Sequence, residues 1–168
     1  YSVMSLYSDV QDLDSHRGRF VLSEKGILFP DTGRSMVDTI FVNGTRDMPE
    51  DLADLNPYRT LPTFVDRDLA LYDARTIIDY LDERFPHPPL LPAYPVARAQ
   101  TRLMVFRIEQ DWRSLYDKIL IASATQAKQA RTQLRDSIVS LNAVFAEKPF
   151  FLSEEFSIID CFLAPLLW

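Results

Sequence analysis

Few side chains in these 168 residues have the type and spacing for covalent chemistry. There is one cysteine, Cys161, and there are two histidines, His16 and His87, far apart in the chain. A lone cysteine cannot close an internal disulfide or build a multi-cysteine metal site, and it suits a reducing compartment. Two distant histidines do not make a zinc set, so no metal is expected. Cys161 lies between Asp160 and Phe162 in an apolar run, where a thiol packs as a small hydrophobe. A redox role for it is the weaker reading.

The more unusual pattern is one of recognition. Residues 85–95 read Phe-Pro-His-Pro-Pro-Leu-Leu-Pro-Ala-Tyr-Pro, with five prolines in eleven positions. Such a stretch cannot continue a helix and has few backbone donors, so it reads as a stiff, extended connector. His87, framed by Pro86 and Pro88 and preceded by Phe85, has two readings. Its ring packs against a neighbouring helix, or it belongs to an exposed aromatic-proline patch with Phe85, Pro89 and Tyr94. Proline fixes the backbone beforehand, so a partner docking on such a patch meets little ordering entropy.

The elements that must hold these residues are legible on either side. In the first half, residues 3–7 suggest a strand, and a helix runs from about Asp14 or Ser15, either able to cap it, to Lys25 and Gly26. A second strand is expected over residues 37–42. A short helix begins at Pro49, followed by Glu50 and Asp51. Residues 63–65 and 69–72 make a hairpin with Arg67 at its tip, and Asp73 caps a helix whose apolar face is Ile77, Ile78 and Leu81. The order is β-α-β-α-β-β-α, a mixed sheet with helices against it. The second half reads as all helix. Met104, Ile108, Trp112, Leu115 and Ile119 form one stripe, and Ala127, Ala130, Leu134, Ile138, Leu141 and Phe145 a second. Ser157 then caps a third helix, with Asp160 reaching back to its amide. These patterns divide the chain into a domain over 1–84, a proline-rich linker over 85–95 and a helical domain over 96–168.

Charge divides at the same place. Residues 1–84 carry 16 acidic and 9 basic side chains, a net of -7, and residues 85–168 carry 8 and 9, a net of +1. A sequence pI near 4.9 argues against direct nucleic-acid binding, which needs a basic face. With 47% hydrophobic residues the chain is not disordered, and no apolar run reaches the roughly 18 residues of a membrane helix. A soluble, cytoplasmic globular protein is expected. The chain opens at Tyr1 without an initiator methionine and stops at Trp168 inside an apolar run, so further residues are expected beyond each end.

The element order, the proline-marked joint and the helical second half resemble the glutathione transferase fold: an α/β thioredoxin-like N-terminal domain followed by an all-α domain. The stretch Asn56-Pro57-Tyr58-Arg59-Thr60-Leu61-Pro62-Thr63 resembles the family segment whose proline is cis. The resemblance then implies that Leu61 turns its N–H and C=O toward the cleft. It also implies a thiolate-stabilising residue near the first helix, and Asp12 stands there. A carboxylate repels a thiolate, so catalysis is not expected. Ser15 or Tyr7 can substitute for it, although Ser15 is more simply the helix cap. The family's acid-serine pair is Asp73-Ala74 here, without the hydroxyl that holds glutathione, so no cofactor is expected.

A closer resemblance spans nearly the whole chain. Residues 80–92, with the Phe-Pro-His-Pro-Pro string, and Ser15-His16-Arg17, Ser23-Glu24-Lys25-Gly26, Phe150-Phe151-Leu152-Ser153 and Asp160-Cys161 resemble the bacterial stringent starvation protein A family. That resemblance implies a homodimer without transferase activity. It implies association with RNA polymerase holoenzyme and the housekeeping sigma factor in stress, through Phe85, Pro86, His87, Pro88, Pro89 and Tyr94. Arg67 is a weaker candidate for the rim of that surface. The acidic first half suits steering toward basic surfaces. The alternative is a glutathione-dependent transferase or thiol reductase using Ser15 or Tyr7. One stretch departs from the family pattern: residues 30–36 read as extra residues before the second strand, with no function assigned.

Overall fold

In β1, Met4–Ser8, buried Met4, Leu6 and Ser8 alternate with half-buried Ser5 and Tyr7, the period of two that a strand imposes. The computed structural model describes residues 3–28, 30–44 and 47–168. It resolves into two compact units, Tyr1–Pro88 and Pro89–Trp168.

In the first unit β1 is followed by α1, Leu13–Lys25, and by β2, Val37–Phe41, which pairs parallel to β1. A parallel neighbour requires a crossover, and α1 supplies it. After α2, Glu50–Leu55, come β3, Thr63–Asp66, and β4, Leu69–Leu71, then α3, Ala74–Arg84. β3 runs antiparallel to β1 and β4 antiparallel to β3, giving the order β2-β1-β3-β4. This is the expected βαβαββα arrangement. α1 packs on β1 and α3, and Leu6, Val21, Phe64, Ile77, Ile78 and Leu81 are fully enclosed. The extra stretch before β2 closes on itself: Leu28 and Ser35 form an antiparallel bridge, and the Met36 amide donates to the Ile27 carbonyl at 3.0 Å. Pro49 is the cap of α2 rather than its first residue.

The second unit is helical. α4, Pro95–Ile108, does not run on regularly into α5, Ser114–Ile121, because Glu109–Arg113 form a π-helical segment between them. The expected single stripe from Met104 to Ile119 is therefore broken. A π turn winds wider than an α turn and shifts the register of the helix beyond it; of the stripe, Ile108 is buried while Met104, Trp112, Leu115 and Ile119 are half-buried. α6, Ala124–Ser140, likewise ends before Phe145, which falls in the short α7, Asn142–Phe145, and is exposed. α8, Ile158–Leu167, opens with the expected capping box. Asp160 accepts from the Ser157 amide at 2.9 Å and, with its other oxygen, from the Phe151 amide at 3.1 Å. Cys161 is fully buried. Among the described residues no helix is long and apolar enough to cross a membrane.

The proline-rich stretch expected as a stiff, extended connector over 85–95 is partly buried. The division falls inside it, between Pro88 and Pro89. Leu90 and Leu91 are buried, and the Leu90 carbonyl accepts from the Ile158 amide at 2.8 Å. Two adjacent leucines give the stretch apolar surface to bury, and its carbonyls, those of its prolines included, remain able to accept hydrogen bonds.

Candidate functional site

α1 begins two to three residues earlier than expected. Its cap is Asp12, whose Oδ2 accepts from the Ser15 amide at 2.7 Å, so neither Asp14 nor Ser15 caps it. A carboxylate at that place satisfies an otherwise unpaired helical N–H and lies at the positive end of the helix dipole. Ser15 is instead inside the first turn and fully buried, and its Oγ accepts from the Asp9 amide at 3.1 Å. Asp9 ties the loop further: its carboxylate accepts from Gln11 N at 2.8 Å and Gly44 N at 3.0 Å. Its carbonyl accepts from Arg19 Nη1 at 2.7 Å. Arg19 also donates to Ser8 Oγ and, at 3.4 Å, to the Val10 carbonyl, and its guanidinium lies 5.7 Å from the centre of the Phe41 ring. Burial holds the His16 imidazole below its ordinary range, and the charge of Arg19 pushes it the same way. Tyr7 is half-buried in β1, opposite Ile40 on one side and Thr63 on the other.

The remaining positions singled out for glutathione also lie in the first unit. The Leu61–Pro62 bond is cis, with Pro62 buried and Leu61 half-buried. The preceding turn is organised by Asn56, fully buried, a role that residue type alone does not reveal. Its Nδ2 donates to Thr60 O at 2.8 Å and Thr63 Oγ1 at 2.9 Å, and its Oδ1 accepts from Tyr58 N at 3.0 Å. Asp73 caps α3 as expected, its Oδ2 accepting from the amide and the hydroxyl of Thr76, each at 2.9 Å. Ala74 beside it is buried and has no hydroxyl to offer.

The proline patch has a different character. The Phe85 amide closes α3 on Leu81 O at 2.9 Å, and the Arg84 guanidinium lies 5.1 Å from the Phe85 ring centre. Phe85 is half-buried, and Pro86, His87, Pro88 and Pro89 are exposed, the last as the first residue of the second unit. The His87–Pro88 bond is cis, which the residue pattern does not suggest. Beneath lies Lys25, the last residue of α1. Its buried Nζ donates to Asp82 Oδ1 at 2.6 Å, Phe85 O at 2.7 Å and Pro88 O at 2.6 Å. In the sequence Lys25 is only a charge suited to a helix C-terminus. Its three partners lie 57 to 63 residues away, and no local pattern points to them.

Two patch candidates stand apart in the chain. Arg67 is exposed at the β3–β4 turn with φ 56°, and it makes no hydrogen bond or ion pair among the described residues. Tyr94, in the second unit, is 79% exposed and is the residue from which α4 starts.

Family models describe both halves. The glutathione S-transferase N-terminal domain matches residues 15–84, and the C-terminal domain matches residues 110–168. The chain is 48% identical over 167 residues to a stringent starvation protein A homolog of Pasteurella multocida, covering 99% of this chain and 74% of that protein. It is 49% identical over 168 residues to the Haemophilus ducreyi homolog, with the same coverage. Among solved structures it is similar to glutathione transferase Omega 3C from Trametes versicolor, with a TM-score of 0.80. That match has 23% identity and covers 96% of this chain and 70% of that one, a likeness of fold. With a glutathione transferase-like fold in both halves and near one-in-two identity to these relatives, the chain belongs to the stringent starvation protein A family.

Proposed function

We propose that the protein is a non-enzymatic transcription accessory protein, a cytoplasmic homodimer that binds RNA polymerase holoenzyme and its housekeeping sigma factor in stress. The contact is the exposed surface of Phe85, Pro86, His87, Pro88 and Pro89. The observation that carries this reading is that surface in a chain of this family: four consecutive exposed residues, three of them prolines. Apolar rings on a backbone already fixed can be covered by a partner at little ordering cost. A net charge of -7 over residues 1–84 favours approach to basic surfaces.

The glutathione positions support the non-enzymatic part. Asp12 places a carboxylate where a thiolate would need stabilising, and that carboxylate is engaged as a cap. The Ser15 hydroxyl is buried against the Asp9 amide, and Ala74 replaces the serine that would hold the peptide's carboxylate. Of the glutathione positions singled out, the backbone of Leu61 is the one left to pair with the peptide, and the residues at the others do not fit it. The fold is shared with glutathione enzymes, which keeps one other reading, a transferase or thiol reductase using Ser15 or Tyr7.

Purified holoenzyme captured on immobilised protein separates the two. The wild type retains it, and a Pro86→Ala, His87→Ala, Pro88→Ala variant does not. Glutathione-agarose retention together with thiol-transfer turnover by the wild type would sink the non-enzymatic reading.

A further inference from the structure

Residues 85–89 carry a built-in imbalance of hydrogen-bonding groups. Pro86, Pro88 and Pro89 have no N–H, and the Phe85 amide is engaged with Leu81. With only the His87 amide left in the stretch for its several carbonyls, the Phe85 and Pro88 carbonyls draw a donor from elsewhere. Lys25 supplies it: an ammonium has three donors, and Nζ meets three acceptors, Asp82 Oδ1, Phe85 O and Pro88 O. The Lys25 side chain is 0% exposed and that of Asp82 13%, so the charge pair sits under the surface.

We infer that Lys25, with Asp82 as its counter-charge, is the positioning residue for the exposed patch. Two carbonyls three residues apart converge on one nitrogen, so the chain between them arches away from it. The residues at the crown of that arch are Pro86 and His87, both exposed. Asp82 brings the last turn of α3 to the same point, which sets the arch relative to the helix that leads into it. Arginine is a poor replacement, because its planar fork does not gather three oxygens around one small centre. This inference rests on the reading of the patch as a partner site.

The test uses the full-length protein and the ring signal of His87, one of only two histidines. In a Lys25→Met, Asp82→Leu variant, which removes both members of the charge pair, circular dichroism reports the fold and NMR reports each imidazole. The inference expects the His87 signal to move or broaden while that of His16 stays. It also expects affinity for purified RNA polymerase holoenzyme to fall at least about tenfold. A folded variant with an unmoved His87 signal overturns it. So does one that binds holoenzyme normally while the Pro86→Ala, His87→Ala, Pro88→Ala variant does not. Should the paired variant not fold, Lys25→Arg, which keeps the charge opposite Asp82, is judged by the same signal: moved supports the clamp, unmoved overturns it. If the triple alanine variant binds holoenzyme normally, the partner reading fails, and the His87 signal still decides the clamp.

Discussion

From the middle of α1, half-buried Arg19 gathers Ser8, Asp9 and Val10, and from its last residue, buried Lys25 gathers Asp82, Phe85 and Pro88. Both cations satisfy carbonyls of a loop, yet the loops end in opposite states. Around Asp9, Asp12 and Ser15 the polar groups close on one another, carboxylate to amide and hydroxyl to amide. Over Lys25 the polar atoms are satisfied from below, and proline and imidazole face outward. Reactivity needs a polar group left poised, whereas recognition needs a shaped surface left bare. In the first region Asp12 and Ser15 are both engaged, and in the second the prolines and His87 are exposed.

The largest test of that contrast is the Pro86→Ala, His87→Ala, Pro88→Ala variant. Holoenzyme affinity should drop by roughly a hundredfold, the scale of a central hot spot, with the thermal midpoint moving by only a few degrees. A large loss of stability with binding intact would reverse the assignment of the two regions. Next is Ser15→Ala, which leaves the Asp9 amide without its acceptor in a part-buried place. It should cost about 1–3 kcal/mol in denaturant unfolding and leave holoenzyme capture unchanged. Equal loss of capture would mean that the regions are one site.

A smaller effect is expected at the cap. Asp12→Ala removes the acceptor for the Ser15 amide and should cost about 1 kcal/mol, while Asp12→Ser should recover most of it and still show no glutathione turnover. The smallest concerns His16, whose folded midpoint lies below 6.5, through burial first and Arg19 second. As pH falls the unfolded chain takes up this proton before the folded one does. Stability from this group is thus complete above about 6.5 and declines as pH drops through the folded midpoint. NMR titration should place that midpoint, and Arg19→Gln should raise it only part of the way, because burial remains. A full return to 6.5 would show that charge, rather than burial, dominates this end of α1.

Sequence alone determined what depends on neighbours in the chain. The β1 strand, the Ile77, Ile78 and Leu81 face of α3, the Asp73 cap and the Ser157–Asp160 box all rest on bonds or spacings within a few residues. The proline string was likewise legible as a surface of unusual stiffness. The choice of Asp12 over Ser15 as cap was not, since both are good capping residues and the burial of Ser15 against Asp9 decides between them. Nor was the π-helical turn at Glu109–Arg113, because the apolar steps around it suit an unbroken helix. Lys25 is the clearest case. Its charge is visible in the sequence, but its partners come from a helix and a loop some sixty residues on. Only folding brings three acceptors around one ammonium, because local periodicity carries no information about which distant oxygens will lack a donor.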